Sequence, residues 1–278
     1  MKCDLLTLFW KIHISYMKYE RSRELDKIKN SIKVILVLGA FVLTQFLVVA
    51  IVMGVLASVR SDLFVSKVFS ENVDFYNLYA KISSIVVMTV SLLFSAIVLI
   101  KRRMKTGVLP IKSITGERLL QIITIAIACW ILATEMDKFL ISFQSSSSQS
   151  ASLGIIGIIS PVLIAPIAEE IIFRFFVIET IAEEKSDSIL AVILSGITFA
   201  LMHGNIRQGV PAFIVGLVLA TIYMKRRNLL EVILIHMIFN VSSILVANGL
   251  PRGVIAGTGL LAGCLLIAKN INKGETNL

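Results

Sequence analysis

Long apolar runs, separated by short polar stretches rich in lysine and arginine, dominate the chain before any single motif is considered. Eight such runs recur: Val34–Val59, Ile82–Ile100, Leu119–Thr134, Ser152–Ile181, Ser188–His203, Val210–Met224, Leu229–Val246 and Val254–Ala268. Crossing a hydrocarbon core of about 30 Å takes roughly 20 residues of helix. Several of the runs are shorter than that. Short spans interrupted by glycine or proline are tolerated where they face a protein interior rather than lipid. The pattern predicts an all-α, polytopic membrane protein of about eight transmembrane helices, with no polar stretch long enough for a second folded domain.

Residues 1–33 mix apolar side chains such as Leu5, Phe9, Trp10 and Ile12 with eight lysines and arginines. They predict a basic, amphipathic N-terminal segment that lies on the cytoplasmic membrane surface. The first apolar run is too long for the core of a cleavable signal peptide, so it is expected to stay as a transmembrane helix. Loop charges set the orientation. With the N-terminus inside, 20 basic residues fall on inner segments and 6 on outer ones, and the side richer in Lys and Arg is the cytoplasmic one. Both termini are thus expected in the cytoplasm of a multi-pass cell-membrane protein. The chain divides into the 1–33 segment, three N-terminal helices and their loops (34–150), a motif-bearing membrane domain (151–268) and a cytoplasmic tail (269–278).

Composition agrees with this picture: 56% of residues are hydrophobic and 16% charged, where soluble domains carry about 25% charged residues. The net charge of +9 sits at helix ends, which fits a lipid-facing basic surface better than nucleic-acid binding, and no nucleic-acid partner is expected. Cys3, Cys129 and Cys264 are far apart and imply no disulfide framework. The serine-rich stretch Gln144–Ser150 reads as an outer loop without chemistry of its own.

Three polar clusters interrupt the apolar helices. The first is Glu169-Glu170-Ile-Ile-Phe-Arg174, the second Phe199-Ala-Leu-Met-His203, the third His236-Met-Ile-Phe-Asn240. Ionisable side chains at membrane depth are expensive and mark functional sites. Glu170 and Arg174 are four residues apart and share a helix face, whereas Glu169 is rotated about 100° away. One carboxylate can thus pair with the arginine while the other faces a cavity. Pro161 and Pro166 precede the acids, and a new helix is expected to start near Pro166, with both glutamates in its first turns. Gly204 is expected to cap the helix that ends at His203.

A carboxylate and a histidine can hold and deprotonate a water, and a second histidine with an asparagine can donate to an oxyanion. Serine catalysis has no local support: Gly-x-Ser-x-Gly is absent, and Ser195 has no evident base beside it. Glu169, Glu170, His203 and His236 also make up a four-ligand set for a divalent metal such as zinc. The arginine beside the acids and the asparagine paired with His236 fit an oxyanion site better, so no cofactor is expected and metal dependence is the competing reading.

The ordered set Glu-Glu-x-x-x-Arg, Phe-x-x-x-His, His-x-x-x-Asn resembles the CPBP family of intramembrane proteases, also called the Abi or CaaX-protease-and-bacteriocin-processing family. The likeness runs over about residues 150–247. It implies an eight-helix fold with a cavity opening into the bilayer. It also implies that Glu169 and His203 activate water, that His236 and Asn240 form the oxyanion hole, and that Glu170 and Arg174 orient the site. Phe175 stands where the family usually has glycine. The activity implied is a glutamate-dependent intramembrane endopeptidase acting on a peptide or membrane-protein substrate. Compact loops look bacterial, which makes prenylated substrates unexpected. The alternative is a non-catalytic accessory or bacteriocin-immunity protein that binds a regulatory partner in the membrane.

Overall fold

The computed structural model describes residues 2–59, 73–140, 154–182 and 188–275. They form eight helices and, among the described residues, no strand. These are α1 (Lys2–Val59), α2 (Val73–Thr106), α3 (Gly116–Leu140), α4 (Ile156–Ile181), α5 (Ser188–Leu201), α6 (Ile206–Arg226), α7 (Leu229–Ala247) and α8 (Arg252–Glu275). Six are long and apolar enough to cross a membrane; α5 and the apolar part of α8, Arg252–Ile267, are shorter. The protein is an all-α polytopic membrane protein. The serine-rich stretch Gln144–Ser150 lies outside the described residues.

Two expectations change at this level. Helix α1 runs unbroken for 58 residues, about 87 Å at 1.5 Å per residue. The basic N-terminal segment is therefore not a separate helix but is continuous with the first span. The reason is local: no proline or glycine occurs before Gly39, so nothing ends the helix where the hydropathy changes. At the other end, α8 continues to Glu275, so most of the expected tail is helical.

The second change concerns Pro166. No new helix begins there, and the residues flanking it keep right-handed helical dihedrals. Helix α4 instead absorbs its prolines by widening into a π-helical turn at Ser160–Ile164 and a longer π stretch at Ile171–Ile178, on either side of the glutamates. The expected helix N-terminus beneath Glu169 and Glu170 is therefore absent. Inserted π turns re-aim side chains and free carbonyls, and they recur at functional sites.

Helices α5 and α6 form an antiparallel pair whose closeness depends on glycine. A Cβ on Gly216 would meet the Gly196 Cα at 3.3 Å and the Phe199 ring at 3.2 Å. Small residues at such crossings let backbones approach where no hydrophobic force drives helices together in lipid. Helix α3 packs against α6, α7 and α8, and α2 packs against α4. The buried core gathers Ile122 and Ala126 of α3, Val177 and Ile178 of α4, Leu219 and Tyr223 of α6, and Val232 and Ile235 of α7. The helices before residue 150 are thus part of the bundle that holds the three motifs.

Candidate active site

Helices α4, α5 and α7 bring the three motifs around one cavity of about 500 Å³. Its lining includes Glu169 from α4, His203 after α5, and His236 and Asn240 from α7. Glu170 and Arg174 lie behind it, both fully buried.

The two adjacent acids have different surroundings, as their helical offset requires. Glu170 Oε2 stands 3.0 Å from Arg174 Nε. This is an ion pair without hydrogen-bond alignment, since neither atom has a hydrogen-bond partner. Arg174 Nη2 donates to the Gly216 carbonyl at 3.4 Å. Glu170 Oε1 meets His236 Nδ1 at 2.9 Å. Glu169 retains 28% of its side-chain exposure, and its Oε2 lies 3.8 Å from His236 Nε2. The result is a relay of contacts, Arg174 to Glu170 to His236 to Glu169, running from the sealed interior to the cavity wall. A carboxylate accepting at Nδ1 makes that nitrogen the protonated one and turns Nε2 towards the cavity; the partner of one ring nitrogen sets the role of the other.

Phe199 is the apolar hub. The Arg174 guanidinium lies 4.6 Å from the ring centroid. The rings of His203 and His236 meet it edge-on at 5.0 and 5.8 Å, and Phe173 does so at 5.3 Å. One aromatic ring thus contacts a residue from each motif, and a desolvated cation over such a ring gains about 2 kcal/mol. His203 Nδ1 is 2.9 Å from the Phe199 carbonyl oxygen, which leaves Nε2 to the cavity. Gly204 ends this turn at φ +67°, a left-handed conformation that glycine adopts without strain.

Asn240 owes its position to the prolines. Inside a regular helix the Pro161 carbonyl would accept from Ala165, but in the π turn the Ala165 N–H reaches back to Ser160. The next candidate donor, residue 166, is a proline without an N–H. Asn240 Nδ2 supplies the missing hydrogen bond, at 2.6 Å. Asn240→Leu is therefore expected to lower stability by about 1 kcal/mol, the usual net contribution of one hydrogen bond, since the Pro161 carbonyl is only part-buried beside the cavity. Thermal unfolding in detergent measures this; an unchanged midpoint would show that the bond contributes nothing.

Several lining residues carried no motif. Trp130, Asp137, Arg207 and Gln208 line the same cavity. Arg207 and Asp137 form a two-pronged pair there between α6 and α3, with Nη2 to Oδ2 at 2.9 Å. Seventy residues separate the two partners, so no local spacing announces the pair. Gly216, outside the lining, is a further residue that no motif marked: it both admits Phe199 and accepts from Arg174. Ser195 is fully buried and donates to the Phe173 carbonyl, at 2.9 Å, a structural bond that occupies its hydroxyl.

The metal reading can be tested on the donors. Among the described residues no three His, Cys, Asp or Glu side chains are gathered as a metal would require. Glu170 is fully buried behind the cavity, held between Arg174 and His236 Nδ1. Glu170 therefore stands apart from the cavity that Glu169, His203 and His236 line, and the four side chains are not gathered as one set.

Fold and site together define a multi-pass membrane protein with a polar, partly charged cavity built inside an apolar bundle. Residues 151–242 match the family described as type II CAAX prenyl endopeptidase Rce1-like. That segment holds all three motifs, and it bears out the likeness read from them. A curated relative, UPF0177 protein YxdF of Lactococcus lactis subsp. lactis (strain IL1403), is 31% identical over 75 residues, covering 27% of this chain and 40% of the relative. The chain thus spans less than half the length of the curated relative it matches. No solved structure matches the chain.

Proposed function

We propose that the protein is an intramembrane endopeptidase that hydrolyses peptide bonds of peptide or membrane-protein substrates in the cavity beside Glu169. The observation that carries this reading is the relay Arg174–Glu170–His236–Glu169, which ends at a cavity open to a substrate. The match of residues 151–242 to the Rce1-like endopeptidase family supports it. The protein would sit in the cell membrane with both termini cytoplasmic, since basic residues crowd the loops on that side.

In this reading Glu169 accepts a proton from water as the oxygen attacks the scissile carbonyl carbon. It returns that proton to the amine nitrogen as the C–N bond breaks, leaving a new carboxylate and a new amino terminus. His236 adjoins Glu169 with its ring fixed by Glu170, and Arg174 offsets the charge of Glu170. The second amide hydrogen of Asn240 and, once its ring is protonated, Nε2 of His203 or His236 supply donors for the oxyanion. His203 is the alternative partner of Glu169 in holding the water. Comparing His203→Gln with His236→Gln separates these roles, since the partner in proton transfer changes the pH profile of turnover and an oxyanion donor lowers it at every pH.

The direct test uses purified protein in proteoliposomes, membrane-derived peptides and water enriched in ¹⁸O. One ¹⁸O is expected in each newly formed C-terminus, with the rate unchanged by a strong chelator. No new termini would sink the reading and favour the accessory or immunity role. Cleavage abolished by chelator and restored by zinc would establish the metal-dependent variant instead.

A further inference from the structure

A second cavity, of about 440 Å³, lies at the opposite end of the bundle, where α2 and α4 end and the chain turns from α6 into α7. The catalytic reading makes no use of it. Arg102, Lys112 and Arg227 line it together with a single acid, Glu179; Phe175 and the stretch 108–111 supply its apolar part. Three cations against one carboxylate leave the lining net positive.

The charges are held in place. Arg227 pairs with Glu179, which also accepts from the Tyr223 hydroxyl at 2.9 Å. Arg102 Nη1 donates to Thr180 Oγ1 at 2.8 Å, and its guanidinium lies 5.7 Å from the Phe175 ring centroid. Lys112 Nζ reaches the Arg226 carbonyl, a neutral acceptor, at 2.7 Å. Beside these cations, Val108 and Ile111 are exposed apolar side chains. Cations and exposed apolar surface thus meet where the helices leave the apolar slab.

We propose that this cavity binds the phosphate headgroup of an anionic phospholipid, with the acyl chains against the exposed apolar rim. Arginine and lysine donors suit phosphate oxygens, and basic pockets between transmembrane helices at the membrane surface hold anionic headgroups. A soluble phosphate shares the headgroup chemistry but gains nothing from the apolar rim. The lipid is therefore the occupant that uses both halves of the lining. Phe175, which replaces the glycine usual at this position in the family that the motifs resemble, gives the cavity an aromatic wall beneath Arg102. Arg102 and Arg227 also clamp the end of α4, the helix that carries Glu169, so an occupant would bear on the same helix as the reaction.

The test uses the full chain in nanodiscs of phosphatidylcholine with a minor fraction of phosphatidylglycerol, followed by native mass spectrometry of the lipid retained after extraction into neutral detergent. Phosphatidylglycerol is expected to be retained over phosphatidylcholine. Lys112→Gln and Arg102→Gln should each lower that retention about fivefold, the effect of removing one cation near an anionic surface. Lys225→Gln, an exposed basic side chain at the same end but outside the cavity, should leave it unchanged. Lys112 is exposed, so its variant carries the test even if Arg102→Gln fails to accumulate. Equal retention of the two lipids, an equal fall in all three variants, or displacement of the lipid by inorganic phosphate would each overturn the proposal. The last outcome would make this a site for a soluble anion.

Discussion

Glu169→Gln is expected to reduce peptide-bond cleavage by about 10²–10⁴-fold, the usual contribution of a positioned general base, while the protein accumulates and unfolds as the parent does. Glutamine keeps the shape of the side chain and removes only its ability to take a proton. Glu169 lines the cavity, keeps part of its surface exposed, and approaches His236 Nε2 only to 3.8 Å. Losing its charge therefore leaves no buried partner stranded. The measurement is the rate of new-terminus formation in proteoliposomes alongside the thermal midpoint of the same sample. Turnover within twofold of the parent would remove Glu169 from the reaction. A large drop in midpoint would show that it serves the fold instead.

Arg174→Met should have the larger effect on stability. It deletes the cation beside Glu170 inside a fully buried pair and leaves an uncompensated carboxylate. Breaking such a pair from one side costs about 3–5 kcal/mol. It also takes a donor from the Gly216 carbonyl and the cation from the Phe199 face, and α4, α5 and α6 meet at those two contacts. The double variant Arg174→Met with Glu170→Leu replaces both charges with apolar side chains, and such replacements are often neutral or stabilising. It is expected to regain most of the lost stability without regaining activity, because His236 Nδ1 no longer has an acceptor to fix its ring. Equilibrium unfolding in mixed detergent micelles, paired with the cleavage assay, reads both. If the double variant were no more stable than Arg174→Met, the pair would not be the source of the loss. If the double variant cleaved like the parent, Glu170 would have no part in orienting His236.

Much of this protein is legible in one dimension. The eight apolar runs each correspond to a helix, because burial in lipid leaves a chain little choice but to satisfy its backbone within each span. The i, i+4 spacing of Glu170 and Arg174 already implied a shared face, and the cost of charge at membrane depth singled out all three motifs. The extent of α1 was not legible from hydropathy. Polarity changes at residue 33, but a helix ends only where capping or backbone conformation ends it. Pro166 misled in the opposite direction, since proline usually begins or breaks a helix. In α4 the neighbouring π turns re-pair the freed groups, and Asn240 from another helix completes them.

By itself, the sequence determined the helical membrane class, the residues that carry charge at depth, and the separate surroundings of Glu169 and Glu170. These follow from local rules: hydropathy, helical period and the energy of a charge in a low-dielectric medium. Only the tertiary structure decided that His236 bridges the two glutamates, that Phe199 contacts all three motifs, that Asp137 and Arg207 meet at the cavity, and that Asn240 spends a donor on Pro161. Each of those contacts joins residues from different helices, and their distances depend on how the helices cross. The glycines at the α5–α6 crossing and the π turns of α4 set those crossings, through close approach and backbone pairing that a linear pattern of side chains does not encode.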